Sequence, residues 1–142
     1  MRQKRISLSV ALVAATLMAG CVAEEDVGTL ATALTPVTWT DLVGVSATGN
    51  DLTKTAPVNT FNAGAVSVET IASGDGYVEF RALEATTAKA AGLSSGNGGA
   101  GRADIDFAIQ LNSDGVVSIY QGGSKIRNAG TYVAGDFFQV SV

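Results

Sequence analysis

From Val37 to Val142 the sequence predicts an all-β fold, an antiparallel β-sandwich. Three observations carry that reading. Glycine is abundant and proline scarce, seventeen against two. Short runs of β-branched and aromatic residues recur at even spacing, with Gly, Asn and Asp between them. Turn pairs such as Gly49-Asn50 and Asp114-Gly115 stand where an antiparallel chain has to reverse. Short strands separated by turn residues of this kind favour a sandwich over a helical or mixed fold.

Taken in order, Val37-Thr-Trp39 begins the β region. Leu42 to Thr48 and Asp51 to Thr55 flank Gly49-Asn50 as a hairpin. Ala65 to Ile71 is a β-branched run that stops at Gly74-Asp75-Gly76. Tyr77 to Ala82 alternates: Val78 and Phe80 point one way, Tyr77, Glu79 and Arg81 the other. Glu84 to Ala91 is the one segment with helical composition. Its Thr86-Thr87 pair and short length favour a loop or a single turn. Asn97 to Gly101 is a flexible glycine loop, and no Lys-Ser/Thr follows it as a phosphate loop requires. Ala103 to Leu111 is expected as the clearest strand. Ile105, Phe107, Ile109 and Leu111 share its inner face, and Asp104, Asp106, Ala108 and Gln110 the opposite one. Asp114-Gly115 turns into Val116 to Gln121, Gly122-Gly123 and Gly130 punctuate, and Gly135-Asp136 opens a last run, Phe137 to Val142.

The first twenty residues read differently. Arg2, Lys4 and Arg5 give a basic start, and Ile6 to Met18 form an apolar run broken only by Ser7, Ser9 and Thr16. Small residues, Ala19 and Gly20, then precede Cys21. Basic, apolar and small segments in that order make a secretory signal peptide. The run is shorter than the ~20 residues that span a bilayer. The ending Leu17-Met-Ala-Gly-Cys21 resembles the lipobox of bacterial lipoproteins, in which the cysteine is acylated and becomes the first mature residue; a plain secretory signal with a coincidental cysteine is the alternative. Three parts follow: a signal-peptide helix over 1–20, a flexible tether over 21–36 and the β domain over 37–142.

Composition narrows the function. After residue 20, six Lys and Arg (Lys54, Arg81, Lys89, Arg102, Lys125, Arg127) face all thirteen Asp and Glu of the chain, a net charge of about −7. Such a surface repels nucleic acid, which needs clustered basic residues. It offers no polybasic help at a membrane either, so a multiply acylated Cys21 would have to anchor the chain. There is no His, so the commonest general base and zinc ligand is missing. With Cys21 acylated, no thiol nucleophile remains.

Several phrases together resemble one bacterial domain family, the jelly-roll of the concanavalin A-like lectin and glucanase type, with a likeness to SPRY domains. They are Val37 to Val45, Leu52 to Thr55, Asn62 to Ala65, Ser73 to Phe80, Gly92 to Ser94, Asp104 to Ile109, Asp114-Gly115, Gly130 to Asp136 and Val140. The resemblance implies a jelly-roll β-sandwich over 37–142 and a surface or secreted setting. In that family further strands follow the Gly-Asp strand, whereas here the sequence ends at Val142. A C-terminally truncated domain is therefore expected, against the alternative of a smaller sandwich complete as it stands. A truncated edge would self-associate through Phe137 to Val142, an uncharged β-prone window.

Period two would put the Asp104 and Asp106 carboxylates on one strand face, with Cα atoms ~6.5–7 Å apart, near the carboxylate spacing glycosidases use. The phrase echoes the Glu-x-Asp-x-x-Glu signature of laminarinase-type glucanases, but Asp104 and Ile109 stand at the two Glu positions. An isoleucine cannot pass a proton, so solvated strand-face charges are the expectation and no enzyme activity follows. Asp75, Asn97, Asp104 and Asp106 are oxygen ligands of the kind calcium takes, without an EF-hand spacing. Trp39, Tyr77, Tyr120 and Tyr132 have rings that stack on sugars, with core packing the competing role for Trp39. Tyr77, Glu79 and Arg81, sharing one face, make a plausible glycan strip, with Asp104 and Asp106 as further ligand contacts. The expected protein is a lipid-anchored, non-catalytic module of the bacterial cell envelope, on its periplasmic or extracellular side, with carbohydrate as the ligand class by fold analogy. A remnant without activity and, less favoured, a glycoside hydrolase relative are the alternatives.

Overall fold

The computed structural model describes residues 34–57 and 60–142. The signal segment, Cys21 and all but the last three residues of the tether lie outside the described residues. No helix among the described residues is long and apolar enough to cross a membrane.

The described chain is all-β. Its strands are β1 (Trp39–Val43), β2 (Val45–Thr48), β3 (Asp51–Lys54), β4 (Gly64–Ser67), β5 (Tyr77–Arg81), β6 (Lys89–Leu93), β7 (Phe107–Leu111), β8 (Val116–Gln121), β9 (Ser124–Thr131) and β10 (Phe137–Ser141), with one 3₁₀ turn at Arg102–Asp104. Every pairing is antiparallel. The strands form a four-stranded sheet in the order β6-β7-β8-β9 and three two-stranded sheets, β5 with β10, β1 with β4, and β2 with β3.

Turn chemistry sets the registers. The β2–β3 hairpin closes on Gly49-Asn50, with Thr48 opposite Asp51. Asn112 to Gly115 joins β7 to β8; Asn112 O accepts the Gly115 N–H, and Asp114 Oδ1 accepts the Val116 N–H, both at 3.0 Å. Gly122 and Gly123 join β8 to β9 with φ of +52° and +76°. Two successive positive φ values are what a two-residue hairpin turn requires, and glycine adopts both without steric cost. Gly92 in β6 has a different reason: a Cβ there would lie 1.9 Å from Phe107 O, so the close approach of β6 to β7 depends on the missing side chain.

The core lies between the β5–β10 ribbon and one face of the four-stranded sheet. Ala82, Ile109, Leu111, Val117 and Tyr132 are its buried members, and Phe80, Phe138, Val140, Ile119, Ala85 and Ala129 pack around them. Phe80 and Phe138 stack with centroids 5.6 Å apart, and Tyr132 meets Phe138 edge-on at 6.1 Å. The Tyr132 hydroxyl donates to Asn112 O at 2.8 Å, so burying this tyrosine leaves no orphaned proton. The opposite face of the sheet is small and polar. Ala108, Gln110 and Ser118 are buried there. Gln110 Nε2 donates to Asn112 Oδ1, Asn112 Nδ2 to Ser118 Oγ (2.9 Å), and Ser118 Oγ to Asn128 Oδ1 (3.1 Å).

The Gly49-Asn50 hairpin, β5, β8 and β10 stand where the sequence predicts them. The expected long strand from Ala103 does not: the chain makes a 3₁₀ turn and β7 begins only at Phe107. Asp104 and Asp106 side chains accept backbone N–H groups from the preceding loop, and such local bonds compete with a strand ladder. Ile105 is consequently half-buried and outside any strand, and Phe107, expected inside, is 45% exposed because the buried cluster begins at Ile109. The β-branched run Ala65 to Ile71 yields a ladder only as far as Ser67. Ser67 Oγ donates to Glu69 O, and Val68 and Ile71 are exposed. Glu84 to Ala88 is a loop, wound around the Glu84 carboxylate, which accepts the backbone N–H groups of Thr86 and Thr87 and both their hydroxyls. β6 and β9 are strands that the sequence reading does not contain.

Candidate functional site

The outward face of the β5–β10 ribbon is built by strand pairing. Gly76 and Val142 exchange two backbone hydrogen bonds, at 3.1 and 3.0 Å, and the Ala82 N–H donates to Asp136 O at 2.9 Å. Counting by two between these ends, Val78–Val140 and Phe80–Phe138 are the hydrogen-bonded pairs, with side chains turned to the core. Tyr77–Ser141, Glu79–Gln139 and Arg81–Phe137 are then the non-hydrogen-bonded pairs, whose Cα atoms sit ~4.5 Å apart and whose side chains are closest. All six of these side chains share the face away from the core.

That face keeps Tyr77, Glu79 and Arg81 together as the alternation predicts. Tyr77 is 43% exposed, the most open of the four aromatic residues considered from sequence. Tyr132 is a core residue, and Trp39 is half-buried, its indole N–H donating to Asn50 O at 2.9 Å. Tyr120 lies beneath Arg102, whose guanidinium carbon is 3.8 Å from the ring centroid and whose Nη1 donates to Gly123 O. Arg81 lies over Phe137, 5.5 Å from its ring centroid, which orients the guanidinium along the face. Glu79 makes no ion pair and accepts no hydrogen bond among the described residues. An aromatic plane, an unengaged carboxylate and a propped guanidinium thus occupy one short strip. Phe137 and Gln139 belong to it and escaped the sequence reading. Their alternation against Phe138 and Val140 was visible, but which strand β10 joins was not.

Asp104 and Asp106 are not on this strip and are not a strand-face pair. Asp104 ends the 3₁₀ turn, where both its carboxylate oxygens accept the Gly98 N–H, at 3.0 and 2.9 Å. Asp106 Oδ2 accepts the Ser95 N–H at 2.8 Å and its hydroxyl at 3.0 Å. These bonds from the Ser95 backbone and hydroxyl hold the Asp106 carboxyl below its ordinary pKa. The same loop is fastened at Asn97, whose Nδ2 donates to Asp41 Oδ2 at 3.0 Å. The two aspartates therefore pin the 95–98 segment. Asp75 is exposed in the turn before β5, apart from them in the chain. No group of three or more His, Cys, Asp or Glu that could hold a metal ion gathers among the described residues.

Chemically, the strip offers one carboxylate, so it does not assemble the two-carboxylate arrangement of glycoside cleavage. It offers a stacking plane, acceptors on Glu79 and Gln139 and donors on Arg81. None of the family models, curated proteins or solved structures compared with the chain matches it.

Proposed function

We propose that this chain is a lipid-anchored, non-catalytic binding module of the bacterial cell envelope that takes carbohydrate on the outward face of the β5–β10 ribbon. The observation that carries the reading is the exposed Tyr77 ring beside an unengaged Glu79 carboxylate and the Arg81 guanidinium. A sugar has an apolar C–H face that a tyrosine ring covers. Its hydroxyls at the ring edge both donate and accept, matching a carboxylate on one side and a guanidinium on the other. The Leu17 to Cys21 segment supports the anchor, and the ribbon over the four-stranded sheet supports two layers of a jelly-roll-like sandwich. The aspartates tied to loop amides support a binding role over a hydrolytic one.

A glycan array probed with the soluble β domain, followed by calorimetry on the best ligand, tests this. Tyr77→Ala and Glu79→Gln are each expected to weaken binding at least tenfold. Asp104→Asn is expected to leave it unchanged. Binding that survives both strip substitutions, or that fails only with Asp104→Asn, would overturn the assignment.

A further inference from the structure

The β5–β10 ribbon has a second property, independent of any ligand on its face. In the hydrogen-bonding pattern above, the N–H and C=O groups of Phe137, Gln139 and Ser141 point away from β5. No other strand among the described residues pairs with them. An edge of this kind templates a further strand unless charge, proline, a bulge or short length protects it.

The other edges are protected. β9 carries Lys125 and Arg127 and two register breaks against β8. β5 carries Glu79 and Arg81, and β6 carries Lys89. β1 has a register break against β4, with Asp41 at a φ of +51°. β2 and β3 run four residues each, and β3 carries Asp51 and Lys54; β4 also runs only four. β10, Phe-Phe-Gln-Val-Ser, is five residues long, in unbroken register with β5, and has no charge, glycine or proline.

We propose that β10 is the assembly edge of this protein and that its occupant is β10 of a second copy, paired antiparallel about Gln139. The outward groups limit hydrogen-bonded pairing to Phe137, Gln139 and Ser141, and centring on Gln139 is the register that pairs all three. Phe137 faces Ser141 of the other copy and Gln139 faces Gln139, all as hydrogen-bonded pairs. The same register brings Phe138 of each copy against Val140 of the other on the core side, so apolar and polar faces both continue across the two-fold axis. Such an interface is self-complementary, as a closed two-fold dimer requires. It joins the ribbons into one sheet in the order β5-β10-β10-β5. The chain is acidic, −4 overall, which opposes association of copies. Here the strands that meet carry no charge, and the two Glu79 side chains, in register on the flanking strands, are three strand spacings apart, ~14 Å at ~4.8 Å each. That exceeds the ~8–10 Å screening length at physiological salt. The uncharged strand is thus where two acidic copies can meet.

Cysteine cross-linking in the full chain, on a Cys21→Ser background, tests the register. Facing positions of a hydrogen-bonded antiparallel pair lie ~5.5 Å apart at Cα, inside the range a disulfide spans. With copper phenanthroline as oxidant, Gln139→Cys is expected to give a reducible dimer, whereas Ser141→Cys, which faces Phe137, is not. In sedimentation, Gln139→Lys is expected to raise the dimer dissociation constant at least tenfold, because two lysines then face each other. Gln139 is exposed on the face opposite Phe138 and Val140, so circular dichroism of each variant should match the parent. Equal cross-linking at 139 and 141, cross-linking at neither, or a monomer across a hundredfold concentration range would overturn the proposal.

Discussion

The difference between Leu111 and Phe107 gives the sharpest test of how β7 is packed. Both lie on the inner face of the strand by period, and Phe is the larger residue, so sequence alone ranks Phe107→Ala as the more damaging change. The structure reverses that order. Leu111 is fully buried among Ala82, Ile109, Val117 and Tyr132, whereas Phe107 is 45% exposed and outside that cluster. Leu111→Ala removes three carbon atoms, about 2.4 kcal/mol at ~0.8 per methylene. It also leaves a closed cavity, which brings the total to about 3–5 kcal/mol. Phe107→Ala removes more carbon, but nearly half of the residue already faces water and no closed void remains, so about 1–2 kcal/mol is expected. For a domain of this size 1 kcal/mol moves the melting temperature by about 3–6 °C. Calorimetry on the pair should therefore show a drop of about 9–30 °C for Leu111→Ala and about 3–12 °C for Phe107→Ala. An equal or larger drop for Phe107→Ala would refute this packing and restore a strand buried from its first residue.

Other expectations are as direct. Metabolic labelling with a fatty-acid analogue should mark the wild-type chain and miss Cys21→Ser; equal labelling of both would remove the anchor. The Asp106 carboxyl is held below its ordinary pKa by Ser95, so its tie to the loop is complete above about pH 4 and is lost as pH falls through the lowered value. The protection factor of the Ser95 amide, the free-peptide exchange rate divided by its own at the same pH, should fall in that acid range, and Asp106→Asn should remove that change. Burial raises the Glu84 carboxyl, but bonds from Lys89, Thr87 and Thr86 outweigh it and hold it well below the usual range. Its ion pair with Lys89 is one-third to two-fifths exposed, so Lys89→Met should cost no more than about 1 kcal/mol in a denaturant titration; a loss of 3 kcal/mol would show that the pair is structural.

What could be read from the residues was local. The Gly49-Asn50 reversal, the Tyr77 to Arg81 alternation, the Asp114-Gly115 turn and the last strand all depend on neighbours within a few positions, and all four stand in the structure. β9 was missed because it is an edge strand. Six of its first seven residues are polar, exposed or both, so no alternation marks it; Gly122-Gly123, a hairpin turn in plain view, was the signal to use. β6 was missed because Lys-Ala-Ala-Gly-Leu has no β-branched residue, and its place depends on Gly92 fitting against Phe107. At Asp104 and Asp106 the period of two was real in the sequence, but carboxylate bonds to amides at positions 95 and 98 decide the backbone there. Half of the candidate strip was legible for the same reason: Tyr77, Glu79 and Arg81 lie on one strand, whereas Phe137 and Gln139 arrive through a pairing some sixty residues away in the chain.

The amide and hydroxyl chain from buried Gln110 through Asn112 and buried Ser118 to exposed Asn128 bears on how the sheet finds its alignment during folding. β7 and β8 are rich in small and apolar residues on both faces, so apolar contact alone discriminates poorly between alignments. A slip of one residue in the β7–β8 pairing would carry either Gln110 or Ser118 to the side of Phe80 and Phe138 and break the bond between Asn112 and Ser118. Each stranded polar group costs about 1–3 kcal/mol, so a slipped sheet lies several kcal/mol above the native one even when its apolar area is nearly equal. The Asn112 to Gly115 turn brings the first three members together within one hairpin, and β-hairpins form in about 1–10 μs. Gln110, Asn112 and Ser118 all lie within the β7–β8 hairpin, so this check on alignment needs no contact with β5 or β10.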